Sequence, residues 1–123
     1  VLFNAALHYA QDTAAAVAEA IRVLRPGGLV VVVDSPLYSD QTAGDSMVIE
    51  QERGLAALGC EVPATLGAGY LLESELAAWP ESCGGIWHDQ TARPARVRAA
   101  IGRRRAGRET ARLSFVVGTK EHR

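Results

Sequence analysis

Two hydrophobic periods alternate along this chain of 123 residues, and each change of period marks an element. Residues 1–5 are apolar except for Asn4 and read as a short strand whose carboxyl end delivers Asn4, then His8 and Tyr9. Asp12 suits a helix N-cap. Ala14, Val17, Ala18, Ile21 and Leu24 then recur at helical spacing on one face, with Glu19 and Arg22 outside that stripe. Arg22 and Arg25 place positive charge on the last turn, where the helix dipole is negative. Pro26 cannot extend the helix, and Gly27-Gly28 supply the left-handed backbone that closes it. The unbroken apolar run Leu29-Val30-Val31-Val32-Val33 predicts a strand covered on both faces and ended by Asp34. Strand, helix, turn and strand form a βαβ unit with parallel strands and a right-handed crossover. Parallel strands gather His8, Tyr9, Asp34, Ser35 and Tyr38 along one sheet edge, where open α/β sheets bind ligands.

Beyond that unit the pattern weakens. Ser35 to Asp40 reads as a loop. A helix is expected over 43–58, with Met47, Val48, Gln51, Leu55 and Leu58 as a loose stripe and Gly59 closing it. Residues 60–72 lack a period and read as a loop. Leu76, Ala77 and Trp79 suggest a short helix capped by Ser74 and broken early by Pro80. A strand is expected over 86–90, a basic helical stretch in the first half of 93–108, and a strand over 111–119 near the sheet edge. In that last strand Leu113, Phe115 and Val117 share one face, and Ser114, Val116 and Gly118 the other.

The stretch from Val1-Leu2-Phe3-Asn4-Ala5-Ala6-Leu7-His8-Tyr9 through Arg22-Val23-Leu24-Arg25-Pro26-Gly27-Gly28 to Asp34-Ser35-Pro36 resembles the middle of class I S-adenosylmethionine-dependent methyltransferases. In that family a fourth strand ends in a small polar residue, a helix follows, and an Arg-x-Leu-x-Pro-Gly-Gly turn leads into a valine-rich fifth strand. Leu113 to Gly118 resembles the family's last strand. The resemblance implies an α/β fold: a partial Rossmann-like methyltransferase sheet of parallel strands with a C-terminal antiparallel hairpin, in one domain spanning 1–123. It implies S-adenosyl-L-methionine as cofactor, held in part by Asn4 and Ala5, and a small molecule as methyl acceptor. The family also binds its cofactor through a glycine-rich loop after the first strand and acidic residues after the second and third. None of these is in the sequence. Gly67-Ala68-Gly69 has no valine-rich strand before it. The glycine-rich half of the cofactor site is therefore missing, and the chain reads as the C-terminal half of such an enzyme, weak or inactive alone. Opening on Val1 and directly on strand-like residues also suits a fragment or a reading frame started too late.

His8 has an ordinary pKa near 6.5 and suits a base; with Tyr9 and Tyr38 it is a candidate for the acceptor pocket. The plainer alternatives are a partly exposed loop histidine packed beside the helix, and aromatic residues that only pack. Asp34 reads as a loop cap, and Asn4 as a strand end unless the cofactor reading holds. Charge modifies this picture. Residues 1–92 carry 3 arginines and 12 acids, whereas residues 93–123 carry 10 basic residues and 2 acids. The basic tract lacks interleaved aromatics, so neutralisation against the acidic body is preferred to a nucleic-acid partner. No run approaches the length of a membrane span, and no metal-ligand spacing surrounds Cys60 and Cys83, which are expected as buried thiols in a reducing cytoplasm. The alternative to an enzyme is a noncatalytic α/β module that completes its sheet through a partner, including a homodimer formed through the uncovered sheet edge.

Overall fold

The structure is a computed structural model that describes residues 1–63, 66–91, 97, 100–101, 104 and 107–121. It is an α/β fold: β1 (Leu2–Asn4), a 3₁₀ turn (Leu7–Tyr9), α1 (Thr13–Val23), β2 (Leu29–Tyr38), α2 (Gln41–Ala57), β3 (Leu71–Leu72), α3 (Glu73–Ser82), β4 (Ile86–Asp89) and β5 (Arg112–Thr119). The sheet order is β1-β2-β5-β4, with β3 also paired to β2. β1 and β3 lie parallel to β2, and β5 runs antiparallel to both β2 and β4. The mixed sheet agrees with a partial Rossmann-like methyltransferase fold. The expected antiparallel pair at the C-terminus is present, and β5 lies one strand in from the edge, between β2 and the edge strand β4.

The Pro-Gly-Gly turn works as its sequence dictates, with one refinement. Gly27 takes a φ of 74°. Gly28 has no such φ; a Cβ there would come within 2.9 Å of the Arg25 carbonyl oxygen, so the turn needs its lack of a side chain. Lys120 locks the same corner. Its Nζ donates to the carbonyls of Arg22 and Leu24 at the end of α1, at 2.9 and 2.8 Å. A cation there also offsets the helix dipole.

β2 differs most from expectation. Asp34 does not end it. Val33 pairs with Phe115 and Pro36 with Leu113, so β2 carries one residue more than β5 between those rungs. The extra residue is absorbed at Asp34, which adopts a φ of 57°. The bulge reverses the alternation. Val30 and Val32 are buried before it, and Ser35 and Leu37 after it. Pro36 is tolerated because a bulge is where a missing donor costs least.

One face of the sheet meets α1 and α3. Leu7, Val17, Ile21, Val30, Val32, Leu37, Leu71, Trp79 and Val116 form the core there. Ala20, rather than Ala18, completes the buried stripe of α1. The opposite face was expected to be covered as well. Only its upper end is: Tyr38 packs with Ala43 and Tyr70, placing the start of α2 there. Below that, Leu2, Leu29, Leu113, Phe115 and Ile86 stand 45–63% exposed. The exposed side of β5 is thus its apolar one, and its buried side carries Ser114, Val116 and Gly118.

Local chemistry corrects three further expectations. The α3 cap is not Ser74. Glu75 accepts from the Leu72 amide at 2.7 Å and from the Thr13 hydroxyl at 2.9 Å, tying α3 to α1. Pro80 sits inside α3 without breaking it, and the Cys83 amide still reaches the Trp79 carbonyl at 2.8 Å. Along α2, Gln51 and Leu58 are exposed, so the apolar stripe is shorter than its spacing implied.

Candidate functional site

The carboxyl ends of β1, β2, β3 and β4 face one way, and the candidate residues collect there. β1 ends at Asn4, opposite Val33. Ala5 follows with a φ of 48°, and its amide donates to the Val33 carbonyl at 2.9 Å. Ala5 and Asp34, on neighbouring strands, are the two non-glycine residues with positive φ among those described. Each such residue stores strain of order 1 kcal/mol, and strained backbone of this kind clusters at ligand-binding edges. Asn4, Ala5 and Asp34 are all exposed. Together they form one open wall beside the uncovered part of the sheet.

The Leu7–Tyr9 turn sorts its side chains. Leu7 enters the core, and His8 is buried with Nδ1 hydrogen-bonded to Ser35 Oγ at 3.0 Å, the tautomer deciding which atom donates. The Ser35 amide in turn donates to Ser114 Oγ at 3.2 Å. Burial lowers the His8 pKa from its usual value and keeps the ring neutral near pH 7. His8 is therefore neither the partly exposed loop residue nor an open base; it pins the turn to the bulge of β2. That chain of buried polar groups was not legible in sequence, because it spans three elements.

Tyr9 is 43% exposed, and its ring lies 4.1 Å from that of His8. The backbone of the loop residues 61–63 and 66–69 is tied to this turn. Gly67 donates to the Tyr9 carbonyl and Gly69 to the His8 carbonyl, both at 2.9 Å. These amides are committed within the protein, so Gly67-Ala68-Gly69 is not a phosphate cradle. The loop faces α2 across a cleft of about 190 Å³ with Tyr9, Val48, Leu55, Val62 and Leu66 among its walls. Tyr38 is buried instead. It meets Tyr70 edge to face at 5.7 Å, and the Tyr70 hydroxyl donates to Asp45 at 2.6 Å. Burial, followed by the Asp45 hydrogen bond, pushes the Tyr70 pKa well above its usual value. Of the three acceptor-pocket candidates, the structure brings Tyr9 alone to the wall of this cleft.

A second hollow of about 470 Å³ lies between α3 and the β4–β5 pair, lined by Leu76, Pro80, Trp87, Asp89 and Arg112. Arg112 pairs with Glu73 there. Cys60 is exposed and Cys83 partly so, a correction to two buried thiols. Among the described residues no group of three His, Cys, Asp or Glu could hold a metal, and no helix is long and apolar enough to cross a membrane. Most of the basic tract, including Arg93, Arg96, Arg98, Arg103 and Arg105, falls outside the described residues.

The α/β fold and its mixed sheet are consistent with a partial Rossmann-like methyltransferase fold. Residues 1–32 match the family model described as a methyltransferase domain. The match covers β1, Ala5, α1 and the start of β2, and it supports a methyltransferase domain. No curated protein and no solved structure matches the chain.

Proposed function

We propose that this chain is the C-terminal part of a class I methyltransferase domain whose complete form transfers a methyl group from S-adenosyl-L-methionine to a small molecule in the cytoplasm. The observation that carries the reading is the family match over residues 1–32, which ends inside β2 and takes in Asn4, Ala5 and Tyr9. Asn4 and Ala5 fit one wall of a cofactor site: both are exposed at a carboxyl edge, and Ala5 holds a positive φ there. The sequence has no glycine-rich loop after a strand to make the other wall. The cofactor therefore does not fit this chain by itself, and no chemical step is assigned to its residues alone.

Isothermal titration calorimetry of the chain with S-adenosyl-L-methionine is expected to give weak or no binding. The coding DNA upstream of Val1 is expected to read in frame into a strand followed by Gly-x-Gly-x-Gly. A frame closed by a stop codon directly upstream of Val1 would overturn the reading.

The open apolar face favours one second reading, a noncatalytic module that completes itself by dimerisation. The exposed positions Leu2, Leu29, Phe115, Leu113 and Ile86 carry no charge, and the outer edge of β1 has no strand beside it among the described residues. Unpaired edges and contiguous apolar patches both promote association. Sedimentation velocity separates the two: a tight dimer without cofactor binding supports this second reading.

A further inference from the structure

We propose that the cleft between α2 and the loop residues 61–63 and 66–69 binds a small, mainly apolar molecule carrying a protonated amine. On the methyl-transfer reading above, on which this second step rests, the same cleft is the acceptor site.

Position comes first. The cleft stands over the carboxyl ends of β1 and β2, because the loop is hydrogen-bonded to the turn after β1 and α2 follows directly from β2. Open α/β sheets bind ligands outside that edge. Tyr9 belongs to both the cleft and the loop that follows Asn4 and Ala5. A molecule seated on Tyr9 thus lies next to the strained wall.

The chemistry of the walls selects the occupant. Val48 and Leu55 of α2 face Val62 and Leu66 of the loop. Val62 and Leu66 stay 40% and 42% exposed, so the chain itself does not fill the space between them. At about 190 Å³ the cleft is smaller than a drug-sized site and suits a single ring with a short side chain. Glu52 and Glu61 stand at its rim, and neither Lys nor Arg lines it among the described residues. The same two glutamates border an adjoining hollow of about 520 Å³, which leaves them open to solvent and to an arriving cation. The other two acids of α2 are engaged elsewhere: Glu50 pairs with Arg108, and Asp45 accepts from Tyr70. An apolar body with a cationic end satisfies both features, whereas a carboxylate of the same shape meets like charge.

The test is a titration of the ¹⁵N-labelled 123-residue chain with phenethylamine and, separately, with 3-phenylpropionate, which has similar size and opposite charge. Phenethylamine is expected to shift the amides of Tyr9, Val48, Leu55 and Leu66 saturably, with a millimolar dissociation constant in keeping with so few atoms. Two rim carboxylates acting through water predict roughly tenfold weaker binding of 3-phenylpropionate. The double variant Glu52→Gln, Glu61→Gln removes two exposed charges without touching the core and is expected to bring the two probes within about threefold of each other. Equal affinity for both probes, shifts on the open sheet face instead of the cleft, or no saturable shift overturns the proposal. No cofactor takes part, so amine binding without cofactor binding by the complete enzyme would leave the cleft standing and remove only the methyl-transfer reading.

Discussion

Gly118→Ala probes the architecture most directly, because it tests the register of β4 against β5 and the packing of both tryptophans in one substitution. Gly118 pairs with Trp87 and lies on the buried side of β5. A Cβ built there would sit 2.5–2.7 Å from three atoms of the Trp87 ring, well inside the 3.4 Å at which ordinary contact begins. The ring cannot simply move. Its Nε1 donates to the Gly84 carbonyl at 2.8 Å, and its other side meets Trp79 at a centroid distance of 5.0 Å. Overpacking of this kind costs about 1–3 kcal/mol. Removing a glycine from a strand returns ~0.5–1 kcal/mol of backbone entropy. The expected net loss is about 1–2 kcal/mol, or roughly 5 °C in melting temperature for a chain of this size. Gly54→Ala is the control. Gly54 lies inside α2 with nothing within 4 Å of its built Cβ, so the same substitution is expected to stabilise by ~0.5–1 kcal/mol. Scanning calorimetry of both variants reads the pair of signs. In a Trp87→Leu background the Gly118→Ala penalty should largely disappear. A Gly118→Ala protein as stable as the parent would refute the stacking of Trp87 on β5.

Three further outcomes follow from the geometry. Because His8 is buried with a lowered pKa, the unfolded chain binds a proton there that the folded chain does not; stability should hold above about pH 6.5 and fall as pH drops below it, and urea midpoints against pH for the parent and His8→Gln should show the variant losing that slope. Glu109 accepts from the Ser39 amide and hydroxyl and from the Asp40 amide at 2.7–2.8 Å, so Glu109→Ala is expected to cost about 1 kcal/mol in a denaturant melt and to loosen the start of α2 in hydrogen exchange. Phe115→Glu places a charge in the middle of the open face without disturbing the core, and sedimentation velocity should show it reducing self-association at unchanged melting temperature.

The first forty residues were legible because their signals are local. An N-cap aspartate, an alanine-rich stripe and a Pro-Gly-Gly stop act within one or two turns, and Asp12 does accept from the Ala15 amide at 2.8 Å as its position implies. The same locality puts Asn4 and Tyr9 at a carboxyl edge. Asp34 marks the limit. An aspartate after a run of valines reads as a terminator, and only the pairing of β2 with β5, more than 70 residues away, makes it a bulge that carries the strand on to Tyr38. The alternation in β5 was equally visible, but which side is buried was not: Ser114 faces inward because Ser35 and His8 are there to meet it, and Phe115 faces outward because no layer of the described chain covers that side. The amphipathic period of a segment depends on its own side chains, whereas the choice of buried face depends on what packs against it, and the second belongs to the tertiary structure alone.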